Sequence, residues 1–433
     1  MAQFHELPPA IQLLLDEDLE GVHTPSGLQR HLRKIAPELI RQSRWAHSEY
    51  SYVDTTTGPT TQEAQFRLRT SGALDPFSTV EICGTLGCRI LAAEQFARTA
   101  GVLADTVVVP DVITPALAKA EEFDDGTAKR VLGDMVILDR LKPLVSAGIV
   151  TFSDARLGYC AEHHREAFER VATVVDSLLA EIGRELQIDR TKNMVRIRAT
   201  NLFSQPMVWF HTITAEERDK KTREIGLVAF RDILRNDISA LLRDMRSAER
   251  IQATLASGSR IGLLAISQIE QRGPTVGDIG HWEAMRSVDL PWIRNLSPND
   301  VLRLREEAGS ALPRLRCLLE SKLATVGPDT DERVQAIVGE LRAEASEVQA
   351  ELAALKIARE RGFRAISGGL GLTIAIYGLA AGFVMPAVGL GSLLSLLGLI
   401  HAAERNDERQ LDQLTSRPGY VLLKAQELAT HRQ

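Results

Sequence analysis

Apolar residues recur every three or four positions over much of the chain, a spacing that predicts amphipathic α-helices. One such face lies in residues 28–39, and a longer one follows Thr214 and Glu217, which have the spacing of a capping box. The longer face consists of Ile225, Phe230, Ile233, Leu234, Leu241 and Met245. A further helix is predicted from Pro298, with Ser297 as its N-cap.

Short runs of β-branched residues interrupt the helical pattern. TVVVPDVI and GIVTF are separated by helical stretches and predict a small α/β unit within residues 79–160. MVRIRAT and MVWFHTI flank a Ser-Gln-Pro turn and predict a β-hairpin near residues 194–213. Residues 51–78 are rich in Thr, Ser, Gly and Pro, which predicts a loop with one short strand at most.

A heptad pattern follows the Gly-Pro-Asp break at residues 327–329. Apolar residues there are spaced alternately four and three apart, which is typical of a helix that packs along one seam. We predict self-association of this helix, residues 327–364, and therefore a homo-oligomer. The seam residues proposed for self-association are Val334, Val338, Leu341, Val348, Leu352 and Leu355.

Residues 365–403 contain no Asp, Glu, Lys or Arg, although charged residues make up 25% of the chain. The stretch is rich in glycine and is interrupted at Pro386, which predicts a hydrophobic helical hairpin that contacts a membrane. The predicted membrane contacts are Ile366, Ile374, Ile376, Tyr377, Gly378, Leu379, Gly382 and Pro386. A basic collar that suits an anionic leaflet precedes them: Lys356, Arg359, Arg361 and Arg364. The alternative is a hairpin buried in a helical core.

Composition limits the remaining choices. Aromatic residues make up 5% of the chain, and the abundance of good helix formers favours a mainly α fold. A net charge of -6 gives no reason to expect dedicated nucleic-acid binding. The N-terminus does not resemble a secretory signal, and four cysteines are too few for a disulfide framework. We therefore expect a cytoplasmic protein, associated with the inner face of a membrane.

The expected fold class is mainly α with a small α/β (α+β) N-terminal part, then a heptad helix and a Gly-rich hydrophobic helical hairpin. The predicted division begins with an N-terminal helical region and loop, and ends with a polar tail. Its boundaries are 1–78, 79–160, 161–326, 327–364, 365–403 and 404–433.

Cysteine and histidine occur in two clusters that suit zinc. Cys83 and Cys88 lie in CGTLGC, and Cys160 and His163 lie in YCAEHH. Thiolate and imidazole together are ligands of tetrahedral zinc, so these four residues are candidates for a structural zinc site. The alternative is that the cysteines are small buried apolar residues and the histidine lies on the surface. No other cofactor is predicted.

Three acids are candidates for metal-dependent chemistry: Asp105, Asp111 and Asp154. The segment TVVVPDVITPAL is similar to one strand-to-helix element of PIN-type nucleases in placing an acid near a strand end before a helix. That resemblance implies divalent-metal phosphodiester chemistry, which needs several converging carboxylates. The alternative is that Asp111 caps the helix that follows it.

No common catalytic or nucleotide-binding motif is complete in this chain. SGSRIG contains glycine but lacks the lysine and the spacing of known phosphate-binding loops. The predicted function is therefore non-enzymatic: an effector that perturbs a membrane after self-association, with an unknown ligand or protein bound by its N-terminal body. The alternative is a metal-dependent nuclease or hydrolase whose hydrophobic hairpin is buried.

Overall fold

The computed structural model describes residues 7–17, 25–49, 67–72, 75–78, 85–154, 161–200, 202–203, 206–251, 253–257, 259–270, 296–323, 336, 339–355 and 409–430. The chain is mainly helical and has two small sheets, which confirms the coarse fold-class prediction. It divides into two compact units. The first contains Met1–Arg303 and Leu323–Asp331, and the second contains Leu304–Lys322 and Glu332–Gln433.

Eight helices are labelled here in chain order. They are α1 (Pro9–Asp16), α2 (Pro25–Glu49), α3 (Leu86–Leu103), α4 (Ile113–Ala118), α5 (Asp125–Ser146), α6 (Ala161–Ile182), α7 (Thr222–Arg250) and α8 (Arg260–Glu270). Helices Pro298–Ala308, Leu312–Leu323 and Pro418–Thr430 follow, and residues 339–355 and 409–415 are also helical. Ser297 caps the first of these three by accepting from the amide of Asp300, as predicted.

The first sheet is parallel and has the strand order β3-β2-β1-β7. Its strands are β1 (Arg67–Ser71), β2 (Thr106–Asp111), β3 (Val150–Asp154) and β7 (Thr254–Ser257). Helix α3 contacts β2 and helix α5 contacts β3, whereas α7 contacts both β1 and β7. Neighbouring residues Leu68 and Arg69 point to opposite faces and are both buried, so β1 is covered on both sides.

The second sheet is antiparallel and has the order β4-β5-β6. Its strands are β4 (Gln187–Thr191), β5 (Met194–Ala199) and β6 (Met207–Thr212). It packs on α7, where Trp209 of β6 lies 5.5 Å from Phe230 between ring centroids. Thr214 and Glu217 form the predicted capping box, but it opens a short 3-10 helix, and α7 begins later.

In the second unit the helical residues 339–355 bury part of the heptad seam. Leu341 and Val348 are fully buried, whereas Leu352 and Leu355 are half-buried. Val334 and Val338 lie outside the described residues. Self-association of this seam stays a prediction.

Gly419 marks a close approach between helix Pro418–Thr430 and the helical residues 339–355. A Cβ atom at Gly419 would lie 2.6 Å from the backbone nitrogen of Ala345 and 2.7 Å from the carbonyl carbon of Glu344. Backbone atoms cannot rotate away, so Gly419→Ala should separate the helices. We expect a loss of about 1–3 kcal/mol in the free energy of unfolding, measured by urea denaturation of the full chain.

Gly339→Ala is the matched control for this prediction. A Cβ atom at Gly339 meets nothing within 4 Å. Alanine at this helical position should therefore stabilise by about 0.5–1 kcal/mol. If Gly419→Ala proved as harmless as Gly339→Ala, the close packing of the two helices would be disproved.

The prediction of a transmembrane helix is wrong for the part of the chain that the structure describes. None of the helices there is both long enough and apolar enough to cross a bilayer. The stretch that prompted the prediction, 365–403, and the basic collar at 356–364 lie outside the described residues. The described residues provide no test of membrane association or of a cytoplasmic location, so both stay predictions.

Candidate functional site

The strand order of the parallel sheet creates a crevice at its carboxyl edge. The chain proceeds from β1 to β2 and β3 on one side, and later adds β7 on the other side of β1. The strand order therefore reverses between β1 and β7, whose carboxyl ends lead to different helices, α3 and α8. Ligands of open α/β sheets bind at such switch points. Ser71 ends β1 directly beside Ser257, which ends β7.

A cavity of about 460 Å³ opens at this edge. Its volume lies within the roughly 300–1,000 Å³ of small-molecule pockets. The walls come from the ends of the strands, from the segment after β1 and from α4, α5, α7 and α8. The wall carries many charged side chains, among them Arg69, Asp75, Asp134, Asp154, Asp237 and Asp244.

Arg69 is the centre of a buried polar network. Only 1% of this residue is exposed, and alternation along β1 directs Arg69 and Ser71 toward α7. Its guanidinium donates to Ser153 Oγ at 2.5 Å and to Asp244 Oδ1 at 2.9 Å. Ser71 Oγ donates to the other oxygen of Asp244 at 2.6 Å. The network thus satisfies both oxygens of Asp244 and fixes their positions on the cavity wall.

Helix α7 presents polar residues where its apolar face meets the sheet. The predicted apolar residues Ile225, Phe230, Leu234 and Leu241 are buried. Asp237, Asp244 and Ser247 follow Leu234, Leu241 and Asp244 by three positions each, so they share this face. Acids inside an apolar stripe were a sequence signal of the site. Arg69 and Asp75 gave no such signal, because they fall in a segment whose composition predicts a loop.

Asp75 lies in the turn that follows β1. The turn begins at Gly72, whose φ is 60°, and the Asp75 carboxylate accepts from the amide of Phe77 at 3.0 Å. Burial raises the pKa of Asp75 from 3.8 to about 7; the Phe77 amide and Arg69 oppose the rise, while Asp244 and Asp134 add to it. This carboxyl group therefore changes its charge near neutral pH.

Asp134 forms a buried ion pair with Arg89. The Arg89 guanidinium of α3 donates to Asp134 Oδ1 of α5 at 2.5 Å, and both side chains are at most 7% exposed. Gly133 permits this contact, because a Cβ atom there would overlap the guanidinium. Burial raises the pKa of Asp134 more than Arg89 lowers it.

The structure brings two of the three candidate catalytic acids together. Asp111 and Asp154 are register neighbours at the carboxyl ends of β2 and β3, whereas Asp105 precedes β2 at the opposite edge. Asp111 is fully buried, and its Oδ1 accepts from the amides of Ile113 and Thr114 at 3.0 and 2.9 Å. Asp111 thus holds the start of α4, as its alternative interpretation predicts.

The zinc prediction concerns residues that are only partly described. Cys83 and Cys160 lie outside the described residues, while Cys88 is half-buried in α3 and His163 is exposed on α6. Within the described ranges, no group of three or more His, Cys, Asp or Glu side chains is arranged to hold a metal ion. Structural zinc therefore stays a prediction.

The cavity at the β1–β7 switch point is the best-defined candidate site in the described part of the chain. Its chemistry rests on geometry alone, because comparisons of the chain with protein-family models, with curated proteins and with solved structures found no match.

Proposed function

We propose that this chain is a small-molecule-binding protein that holds a polar ligand in the cavity at the carboxyl edge of its parallel sheet. The cavity itself carries the proposal, because about 460 Å³ of space lies at a switch point beside a buried charged network. A buried ion pair is weak evidence of stabilisation, since apolar side chains often serve as well. Charged groups that wall a cavity are better explained as ligand-recognition groups.

The contacts of the charged side chains in the cavity wall favour binding without catalysis. Asp244 is engaged by Arg69 and Ser71, and Asp134 by Arg89. The described residues that line the cavity include no His or Cys, the usual partners in nucleophilic catalysis. The polar groups are therefore arranged as fixed donors and acceptors.

A hydrolase at the same edge is the second candidate. Asp75 favours it, since a carboxyl group with a pKa of about 7 suits proton transfer. Asp154 would then hold a divalent cation, but its neighbour Asp111 is occupied by two backbone amides. Hydrolysis of bis-p-nitrophenyl phosphate that requires Mn²⁺ and disappears in Asp154→Asn would favour this candidate over simple binding.

The binding proposal predicts that a small polar molecule stabilises the full chain. The probes are the common nucleosides, their 5′-monophosphates, ribose, ribose 5-phosphate and the standard amino acids, each tested by thermal unfolding. A ligand present at about 100 times its Kd stabilises the folded state by about 2.7 kcal/mol. At least one probe should raise the unfolding temperature of the native chain.

Ala240→Phe distinguishes cavity binding from binding elsewhere. Ala240 lines the cavity from α7, so a phenyl ring there should occupy ligand space and abolish the stabilisation. Val228→Phe is the control, because Val228 lies on the same helix with 53% exposure and does not line the cavity. Failure of every probe, or equal stabilisation of native and Ala240→Phe chains, would contradict the proposal.

We also propose that the C-terminal part contains a heptad helix followed by a Gly-rich helical hairpin. Burial of Leu341 and Val348 along one face of the helical residues 339–355 supports the heptad helix. Leu341 and Val348 are already buried within one chain, so self-association is proposed through the half-buried part of the seam, at Leu352 and Leu355. Sedimentation of the full chain measures it directly.

A further inference from the structure

The end of β7 and the start of α8 lie at the same switch point as the cavity. β7 ends at Ser257 and α8 begins at Arg260, and both Ser257 and Gly262 line the cavity. α8 has 11 residues, so its N-terminus carries the positive end of a helix dipole. These residues are the SGSRIG segment, which lacks the lysine and the spacing of known phosphate-binding loops. The N-terminus of a helix that follows a strand is nevertheless a common anion site in its own right.

Two buried hydroxyl groups of the cavity wall have no hydrogen-bond partner in the described part of the chain. They are Ser257 Oγ, in a residue that is 2% exposed, and Ser247 Oγ of α7, in a residue that is 1% exposed. Buried polar side chains are normally hydrogen-bonded. Since both residues line the cavity, a ligand with acceptor atoms would satisfy both groups.

Gly262 brings the first turn of α8 against Ser257. A Cβ atom at this position would overlap Ser257 Oγ. Two amides of the turn already have acceptors, because Ile261 donates to the carbonyl oxygen of Leu202 and Gly262 donates to Ser259 Oγ. An anion here would therefore be held by the two serine hydroxyls and by the helix dipole, rather than by a full ring of amides.

Cations on the cavity wall complement such an anion. Arg243 lines the cavity and precedes Ser247 by four residues, so the two lie on one face of α7. The nearby carboxylate of Asp244 is already neutralised by Arg69. Asp154 and Asp237 also line the cavity, where they suit the hydroxyl or amino groups of a ligand.

We infer that a phosphate subsite lies between the end of β7 and the N-terminus of α8, formed by Ser257, Ser247, Arg243 and that N-terminus. The ligand is accordingly a small phosphate ester that carries hydroxyl or amino groups. This inference rests on the proposed function, because it assigns the chemistry of the molecule that the cavity binds.

Calorimetric titration of the full chain tests the inference with matched probes. The phosphate-bearing probes are the four ribonucleoside 5′-monophosphates, ribose 5-phosphate and inorganic phosphate, and the matched probes are the nucleosides and ribose. At least one phosphate ester should bind, and its phosphate-free counterpart should bind at least about 10-fold more weakly. That is the lower end of what a hydrogen bond to a charged group contributes.

Ser257→Ala and Ser247→Ala should each weaken binding of that ester by about 10- to 100-fold. Neither change should lower the unfolding temperature of the free protein, because each removes a hydroxyl that has no described partner. Ser43→Ala is the matched control: Ser43 is also fully buried with no described partner, but it lies in α2 and does not line the cavity. The Ser43→Ala variant should bind the ester as tightly as the native chain does.

Three results would overturn the inference. They are equal binding of an ester and its phosphate-free counterpart, native affinity in both serine variants, or phosphate binding that is the same in Ala240→Phe. If nucleosides, ribose or amino acids bind in the cavity while phosphate esters do not, the inference fails and the proposed function stands. If no probe of any kind binds, both fail.

Discussion

Replacing Arg89 with methionine should lower the free energy of unfolding by about 3–5 kcal/mol, because it leaves a buried carboxylate without its counter-charge. Asp134 is 3% exposed and takes its hydrogen bond from Arg89. Methionine preserves the apolar stem that packs between α3 and α5, so the loss reports mainly on charge. Urea denaturation of the native and variant chains measures it.

Two controls make this result specific to the buried pair. Arg89→Met combined with Asp134→Leu should recover much of the loss, because it removes both charges together. Arg41→Met breaks the ion pair between Arg41 and Glu38, whose side chains are 69% and 42% exposed, and should change stability far less than Arg89→Met does. A loss in Arg89→Met no larger than in Arg41→Met would show that the pair is not buried.

Asp75→Asn should remove a loss of stability that the native chain suffers as the pH rises. The folded pKa of Asp75 is about 7 and its ordinary value is 3.8, so between these values the folded state holds a proton that the unfolded state has released. Stability therefore falls through this interval and is constant above it. At about 1.4 kcal/mol per pH unit, the loss is at most about 4 kcal/mol.

The measurement is a comparison of native and Asp75→Asn unfolding at about pH 4 and about pH 8. Asparagine still accepts from the Phe77 amide, so the turn should persist. The variant should match the native chain at the lower pH and be the more stable one at the higher pH. A pH-independent difference would refute the assignment.

Asp124→Asn provides a control with the opposite sign. Asp124 caps α5, and the Thr127 amide lowers its pKa. The stability that the Asp124 carboxylate contributes is present above its ordinary pKa and is lost as the pH falls. Asp124→Asn should therefore be less stable than the native chain at higher pH and similar to it at low pH.

Local pattern accounts for the parts of the fold that could be predicted. The spacing of apolar residues located the buried face of α7, and the β-branched run at TVVVPD marked β2. The helix start at Ser297 and the capping box at Thr214 were also readable, because each depends on residues within one turn. Such signals come from short-range geometry, which a sequence displays directly.

The central strand of the parallel sheet could not be predicted in this way. β1 has the sequence RLRTS, which predicts an exposed segment rather than the middle of a sheet. Its two neighbours come from residues 106–111 and 254–257, so the pairing that buries it is non-local. The burial of Arg69 is equally hard to predict, because its hydrogen-bond partners Ser153 and Asp244 are distant in the sequence.

By itself, the sequence determined that this protein is mainly helical, which residues line the apolar face of α7, and that acids interrupt that face. Only the tertiary structure decided that β1 and β7 are neighbours, and that their carboxyl ends open a cavity beside Arg69, Asp75 and Ser257. The physical reason is how far apart in the sequence the contacting residues lie. Helix faces and caps are set by contacts within a few residues, whereas strand order and the pairing of buried charges depend on contacts between segments that the sequence does not connect.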